Sequence, residues 1–357
     1  MLAITAFAAL AAAPSASAVP RTFYGVVPQT QLLDADYARM GQGKVGILRI
    51  IMNWSAVEQA PDAYTWAGYD AIVAGAARNG ITVLPFLYGT PPWVARGLDR
   101  NRCTGDGCGL FAPRKKKALL HWRDFVADAI ARYGPNGTFF SEYPDVPKKP
   151  IRAWQIWNEQ NSRDFYKPKP NPKAYAKLLD QAAKAIRNTD RKADVILGGM
   201  AEFRRLAKTP KVIAGSDFLD RLYKLKGNAK RDFDGVAPHP YAGRVARVAR
   251  QTDATRKVMR KRGDRRADLW ITELGWASSG GGNPLEVGPR GQAKRLKQAL
   301  RYFKRKRNRF NIETVNWFSW VDSTSSICEW CANSGLFKPG LVEKPAWKAF
   351  VKFTGGT

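Results

Sequence analysis

The chain has 357 residues, 45% of them hydrophobic, and a net charge of +29 from 59 basic and 30 acidic side chains. That length suits one α/β barrel, and the apolar fraction supports a sizeable core and excludes wholesale disorder. Only two histidines, His121 and His239, argue against a His-rich metal centre, and no H-E-x-x-H run occurs.

Residues 1–18 carry no charge, run apolar over 2–13 and close on the small-x-small triplet Ala16-Ser17-Ala18. This pattern reads as a secretory signal peptide, although no Lys or Arg precedes the apolar run. Residues 19–357 then form the mature domain, and no later stretch is apolar for long enough to span a bilayer. From there short apolar runs alternate with longer amphipathic ones. We expect strands over 23–27, 46–52, 82–86, 152–157, 194–198, 235–238, 269–272 and 314–319. Helices are expected over 32–40, 69–78, 116–132, 172–188, 217–225, 244–261, 291–306 and 345–352. Eight such units predict an α/β fold with a parallel sheet, closed as a single (β/α)8 TIM barrel; an open doubly wound sheet is the alternative.

Four cysteines, Cys103, Cys108, Cys328 and Cys331, fit two local disulfides in an exported chain, Cys103–Cys108 and Cys328–Cys331; a four-Cys zinc site is the rival reading. The run Gly41-Gln-Gly43-Lys-Val-Gly46 matches a dinucleotide fingerprint by letter, but it precedes a strand instead of following one. There is no G-x-S-x-G elbow. The basic runs over 244–266 and 294–309 read either as solvated outer helices or as a surface attracting an anionic polymer such as an acidic polysaccharide. Nucleic acid is not expected, because no reader motif accompanies the charge.

The remaining chemistry lies at strand ends, where barrels carry their active sites. Strand four runs into Asn158-Glu159, and strand seven into Thr272-Glu273. Cleaving a glycosidic bond requires one protonated carboxyl and one ionised carboxylate, which a shared barrel mouth can supply through unequal environments. The segments Trp157-Asn158-Glu159 and Ile271-Thr272-Glu273-Leu274-Gly275-Trp276 resemble the two signatures of clan A glycoside hydrolases. The early run Trp54–Glu58, with Tyr64-Thr65-Trp66 and Pro91-Pro92-Trp93, is most similar to the family thirty-nine group of β-xylosidases and exopolysaccharide endoglycosidases.

The resemblance implies a retaining hydrolase of β-linked polysaccharide or oligosaccharide, with Glu159 as acid/base and Glu273 as nucleophile. It further implies that Arg49 supports the nucleophile and that Asn158 bonds a sugar hydroxyl. His239 and Tyr241 would line the site wall, Tyr241 orienting Glu273, while Trp320, and Trp276 with it, would stack on sugar. Gln160 departs from the Pro often found there. No cofactor and no metal are implied, and the expected location is extracellular. A carbohydrate-binding barrel without turnover, or a transglycosylase using the same glutamates, are the alternative functions. Sugar identity would rest on the loops over 91–113, 160–172 and 278–289.

Overall fold

The computed structural model describes residues 19–98, 103, 105–202, 211–227, 229–324 and 328–357; the expected leader over 1–18 lies outside the described residues. Eight strands run in chain order: β1 (Tyr24–Val27), β2 (Ile47–Asn53), β3 (Thr82–Tyr88), β4 (Ala153–Asn158) and β5 (Asp194–Ala201). They continue with β6 (two short pieces, Gly235–Val236 and Pro238–His239), β7 (Asp268–Leu274) and β8 (Ile312–Phe318). Every neighbour pairs in parallel, and β1 pairs with both β2 and β8, so the sheet closes on itself. The expected closed barrel is the observed one.

Among the described residues, eight helices of nine or more residues surround it: α1 (Asp34–Gln42), α2 (Ala67–Arg78), α3 (Lys116–Tyr133), α4 (Pro172–Thr189), α5 (Gly215–Tyr223), α6 (Val245–Lys261), α7 (Gly288–Phe310) and α8 (Pro345–Thr354). Local chemistry explains their limits. In α4, the Asn171 side chain accepts a hydrogen bond from the Ala174 amide, and Pro172 follows at the first helical position. Its buried residues, Tyr175, Leu178, Leu179, Ala182 and Ile186, recur at three- and four-residue intervals and face the barrel. Helix α7 ends at Asn311, which takes the left-handed conformation (φ 46°) that Asn tolerates. The Gly41–Gly46 run ends α1 and enters β2, so the fingerprint match is a chance one.

Several strands reach further than expected at their carboxyl ends, because their neighbours continue to pair. Leu274 still pairs with Trp317, so Glu273 lies within β7 instead of after it. The barrel interior is layered. Ile47, Leu84, Ile196, Ala237 and Trp270 form an apolar plug. Above it sits a polar layer in which Arg49, Gln155 and Thr272 are all buried. Both expected disulfides, Cys103–Cys108 and Cys328–Cys331, are formed, and no cysteine is free. Among the described residues, no helix is long and apolar enough to cross a membrane.

Candidate active site

The polar layer opens into a cleft of about 1220 Å³, lined by Arg49, Phe86, Tyr88, Asn158, Phe165, Glu273 and Phe318 among others. That exceeds the roughly 300–1,000 Å³ typical of pockets for drug-sized ligands, and leaves room for an oligomer.

Strand alternation aims most of these groups. On β3, Leu84 belongs to the plug, while Phe86 and Tyr88 line the cleft, two residues apart. On β8, Phe318 lines the cleft while Trp317 packs outward, its indole N–H bonded to the Ser334 carbonyl. At the end of β4 the alternation breaks: Trp157 and Glu159 both take positive φ, 72° and 43°. Left-handed backbone costs non-glycine residues roughly 1–2 kcal/mol each. Here it buries Trp157 completely and sends Asn158 to the cleft and Glu159 to its neighbour His239. Gln160, the departure from the resemblance, is held inside by donating to the Gly198 carbonyl at 3.1 Å.

Glu273 is held from two sides. Arg49 Nη1 donates to Oε1 at 2.7 Å, and the Tyr241 hydroxyl donates to Oε2 at 2.8 Å. Arg49 is itself fixed by donating to Gln155 Oε1 at 2.7 Å and Asn158 Oδ1 at 2.9 Å, with its guanidinium 4.2 Å from the Phe86 ring centre. His239 lies between the two glutamates, its Nδ1 3.0 Å from Glu159 and 3.4 Å from Glu273, its Nε2 3.0 Å from Thr272 Oγ1. Gly199 leaves room for that ring, since a Cβ there would fall 1.9 Å from His239 Nε2.

The two carboxyls therefore meet opposite electrostatics. Burial, reinforced by the charge of Glu273, raises Glu159, against the pull of His239 and Arg49. Burial would raise Glu273 too, but His239, Arg49 and the Tyr241 hydroxyl together outweigh it and hold that carboxyl below its ordinary value. Burial and Glu273 push the Tyr241 phenol well above its usual range, so it remains an O–H donor. Arg49 is drawn down by burial and pushed back up by Glu273. One acidic and one ionised carboxyl, an oxygen of each within 4.8 Å, can serve as a proton donor and a nucleophile. Glu159, His239 and Glu273 are also close enough to hold a metal ion. A cation there would meet the Arg49 guanidinium already bound to Glu273, which supplies the positive charge such an ion would bring.

Six of the expected site residues thus converge: Glu159, Glu273, Arg49, Asn158, His239 and Tyr241. His239 is fully buried, and its ring contacts both carboxyls. The two tryptophans require correction. Trp320 and Trp276 are both fully buried: Trp320 donates to Asp36 Oδ1 at 2.8 Å and packs edge-on to Trp347, and Trp276 donates to the Ala242 carbonyl. Neither has a face open to a sugar. Phe318 lines the cleft with Phe86, Tyr88 and Phe165, and the Trp330 ring packs 5.8 Å from Phe318 and 5.0 Å from Tyr241. Two-residue alternation from Asn316 would have found Phe318; nothing local singles out Trp330, which sits inside the Cys328–Cys331 turn.

No family model and no curated protein matches the chain. Solved structures do. A family 39 glycoside hydrolase from the gut symbiont Bacteroides cellulosilyticus WH2 superposes over 94% of this chain with a TM-score of 0.65 at 17% identity. What the two share is the (β/α)8 barrel fold. The chain spans 64% of that enzyme's length. A monomeric β-xylosidase from Caulobacter crescentus CB15 matches with a TM-score of 0.63 at 15% identity, over 94% of this chain and 69% of its own. The intracellular xylanase TsXylA of Thermoanaerobacterium saccharolyticum JW/SL-YS485 matches with a TM-score of 0.62 at 15% identity, over 92% of this chain and 95% of its own.

Proposed function

We propose that the protein is a secreted retaining glycoside hydrolase that cleaves β-linked polysaccharide or oligosaccharide through a covalent glycosyl-enzyme. The observation that carries this reading is the approach of an oxygen of Glu159 to one of Glu273 within 4.8 Å, in opposite electrostatic settings. A retaining pair stands about 5–5.5 Å apart, whereas an inverting pair leaves 6.5–9.5 Å for a water. Protonated Glu159 donates to the departing oxygen while Glu273 attacks the anomeric carbon. Glu159, now ionised, takes a proton from the water that releases the sugar. Arg49 occupies Asn158 Oδ1, which leaves the Asn158 amide N–H groups to donate to a sugar hydroxyl. The xylosidase and xylanase neighbours make xylo-configured substrates the first to try. Two disulfides fit an oxidising compartment.

The test is digestion of a β-glycan panel, with the anomer released first followed by proton NMR. Retention of the β-configuration, lost together with turnover in Glu273→Gln, is the expected result. An α-product, or equal turnover in the variant, would sink the assignment.

A further inference from the structure

The +29 charge is not spread evenly. Helix α7 carries ten Lys and Arg and no Asp or Glu over its 23 residues. Helix α6, packed beside it, adds six with the single acid Asp253. On α7, Arg290, Lys294, Lys297, Arg301 and Lys304 are all exposed, stepping by four, three, four and three residues. That places one cation about every 5 Å along a straight line, at 1.5 Å rise per residue. Arg305 and Arg309 continue the line one row over. No carboxylate lies within 4.0 Å of any of these seven among the described residues.

The line has a direction and an end. It begins two residues into α7, directly after the loop that follows β7 and Glu273, on the side of the barrel that holds the cleft. It finishes where Arg309 meets Arg260 and Arg265 around a cavity of about 370 Å³, with buried Arg256 behind them. Arg260, Lys306 and Arg309 crowd one aromatic ring, that of Phe310, each within 6 Å of its centre. Gathering like charges in this way destabilises the folded chain unless an external anion offsets the repulsion.

We infer that the α6–α7 face binds a linear acidic polysaccharide, whose regularly spaced anionic groups lie along the α7 cations and terminate in the arginine cavity. The chemistry separates this partner from other polyanions. Neither helix exposes a large apolar side chain to wedge into lipid or to stack on bases. The cleft itself is lined mainly by uncharged residues, with Arg49 its one cation among the described residues, so the charge is placed to hold a polymer, not to read the sugar being cut. The inference shares with the proposed function only a carbohydrate partner, and binding is read independently of turnover.

The experiment titrates the full chain with polygalacturonate and with a neutral β-glucan of similar length, across a sodium chloride series. Affinity for polygalacturonate should fall linearly in log–log form with salt, and the neutral chain should show no such slope. The variant R290Q/K294Q/K297Q/R301Q/K304Q should lose roughly 100-fold or more in affinity at low salt and much of the salt slope. A control of equal net charge, K116Q/K117Q/K148Q/K177Q/K226Q, should lose far less, with melting temperatures confirming that both variants fold. Equal losses in the two variants would reduce the effect to net charge and overturn the inference. So would tighter binding of duplex DNA or anionic vesicles than of polygalacturonate. Glycan digestion without stripe-dependent binding would refute the docking face alone, leaving the hydrolase reading standing.

Discussion

Tyr241→Phe isolates one hydrogen bond at the proposed nucleophile. The substitution removes a single oxygen and keeps a ring packed against Trp330, 5.0 Å away. What is lost is an O–H donor 2.8 Å from Glu273 Oε2. A hydrogen bond to a charged acceptor contributes about 1.5–3 kcal/mol, so kcat/KM should fall roughly 10- to 150-fold. The pH profile should move as well. The Tyr241 donor is one of the groups holding Glu273 below its ordinary carboxyl value, and its loss raises the Glu273 pKa. Since attack requires ionised Glu273, the acid limb of kcat/KM should shift to higher pH, by about one unit for a 1.5 kcal/mol bond. The assay is kcat/KM against pH on whichever aryl β-glycoside is turned over fastest. An unmoved acid limb with kcat/KM within twofold of wild type would refute the role of Tyr241 at the nucleophile. A rise in KM alone would reassign Tyr241 to substrate binding.

Glu159→Ala should cost roughly 10²–10⁴-fold on substrates with poor leaving groups, much less on activated aryl glycosides, and azide should restore turnover by attacking the glycosyl-enzyme without a general base. Equal losses on both substrate types would remove Glu159 from proton donation. Trp320→Phe should lower the melting temperature, because it strips the donor from buried Asp36 Oδ1, at about 1–3 kcal/mol, while KM stays within twofold. A large KM increase would return Trp320 to the sugar subsite. At the far end of the barrel, Asp268 is raised to about 6 by burial and by Glu313, with Asp234 adding and Arg256 opposing. Its folded value exceeds its unfolded one, so ionisation destabilises the native state above pH 6, and the penalty disappears as pH falls through 6 toward 4. Asp268→Asn should therefore melt higher at pH 7.5, by about 2 °C after allowance for solvent screening, and lose most of that gain near pH 4.5 in differential scanning calorimetry. A constant offset at both pH values would refute the linkage.

The barrel was legible in the sequence because its signals are local. Apolar runs of strand length, amphipathic helices and the spacing between them reproduced all eight units, and carboxyl-end position alone drew attention to Glu159 and Glu273. Arg49, Asn158, His239 and Tyr241 entered through resemblance, and they converge because each occupies or follows a strand end on the same face of a closed sheet. The aromatic assignments failed for a definable reason. A tryptophan just past a strand end has no local signal telling it whether to face the cleft or the helical layer. Trp320 turned inward because Asp36 of α1, 284 residues away in sequence, takes its indole N–H. Trp330 stands beside Tyr241 because the turn closed by Cys328–Cys331 carries it there.

Sequence by itself therefore determined the order of elements, the parallel barrel, the two carboxyls and the amount of positive charge. Tertiary structure decided the distance between the carboxyls, which of them is held acidic and which ionised, which aromatics are buried, and the meeting of Arg309 with Arg260 and Arg265 at the end of the α7 stripe. The division follows from physics. Backbone preference and hydrophobic period act over a few residues, whereas a pKa and a buried indole depend on neighbours brought together by closure of the sheet.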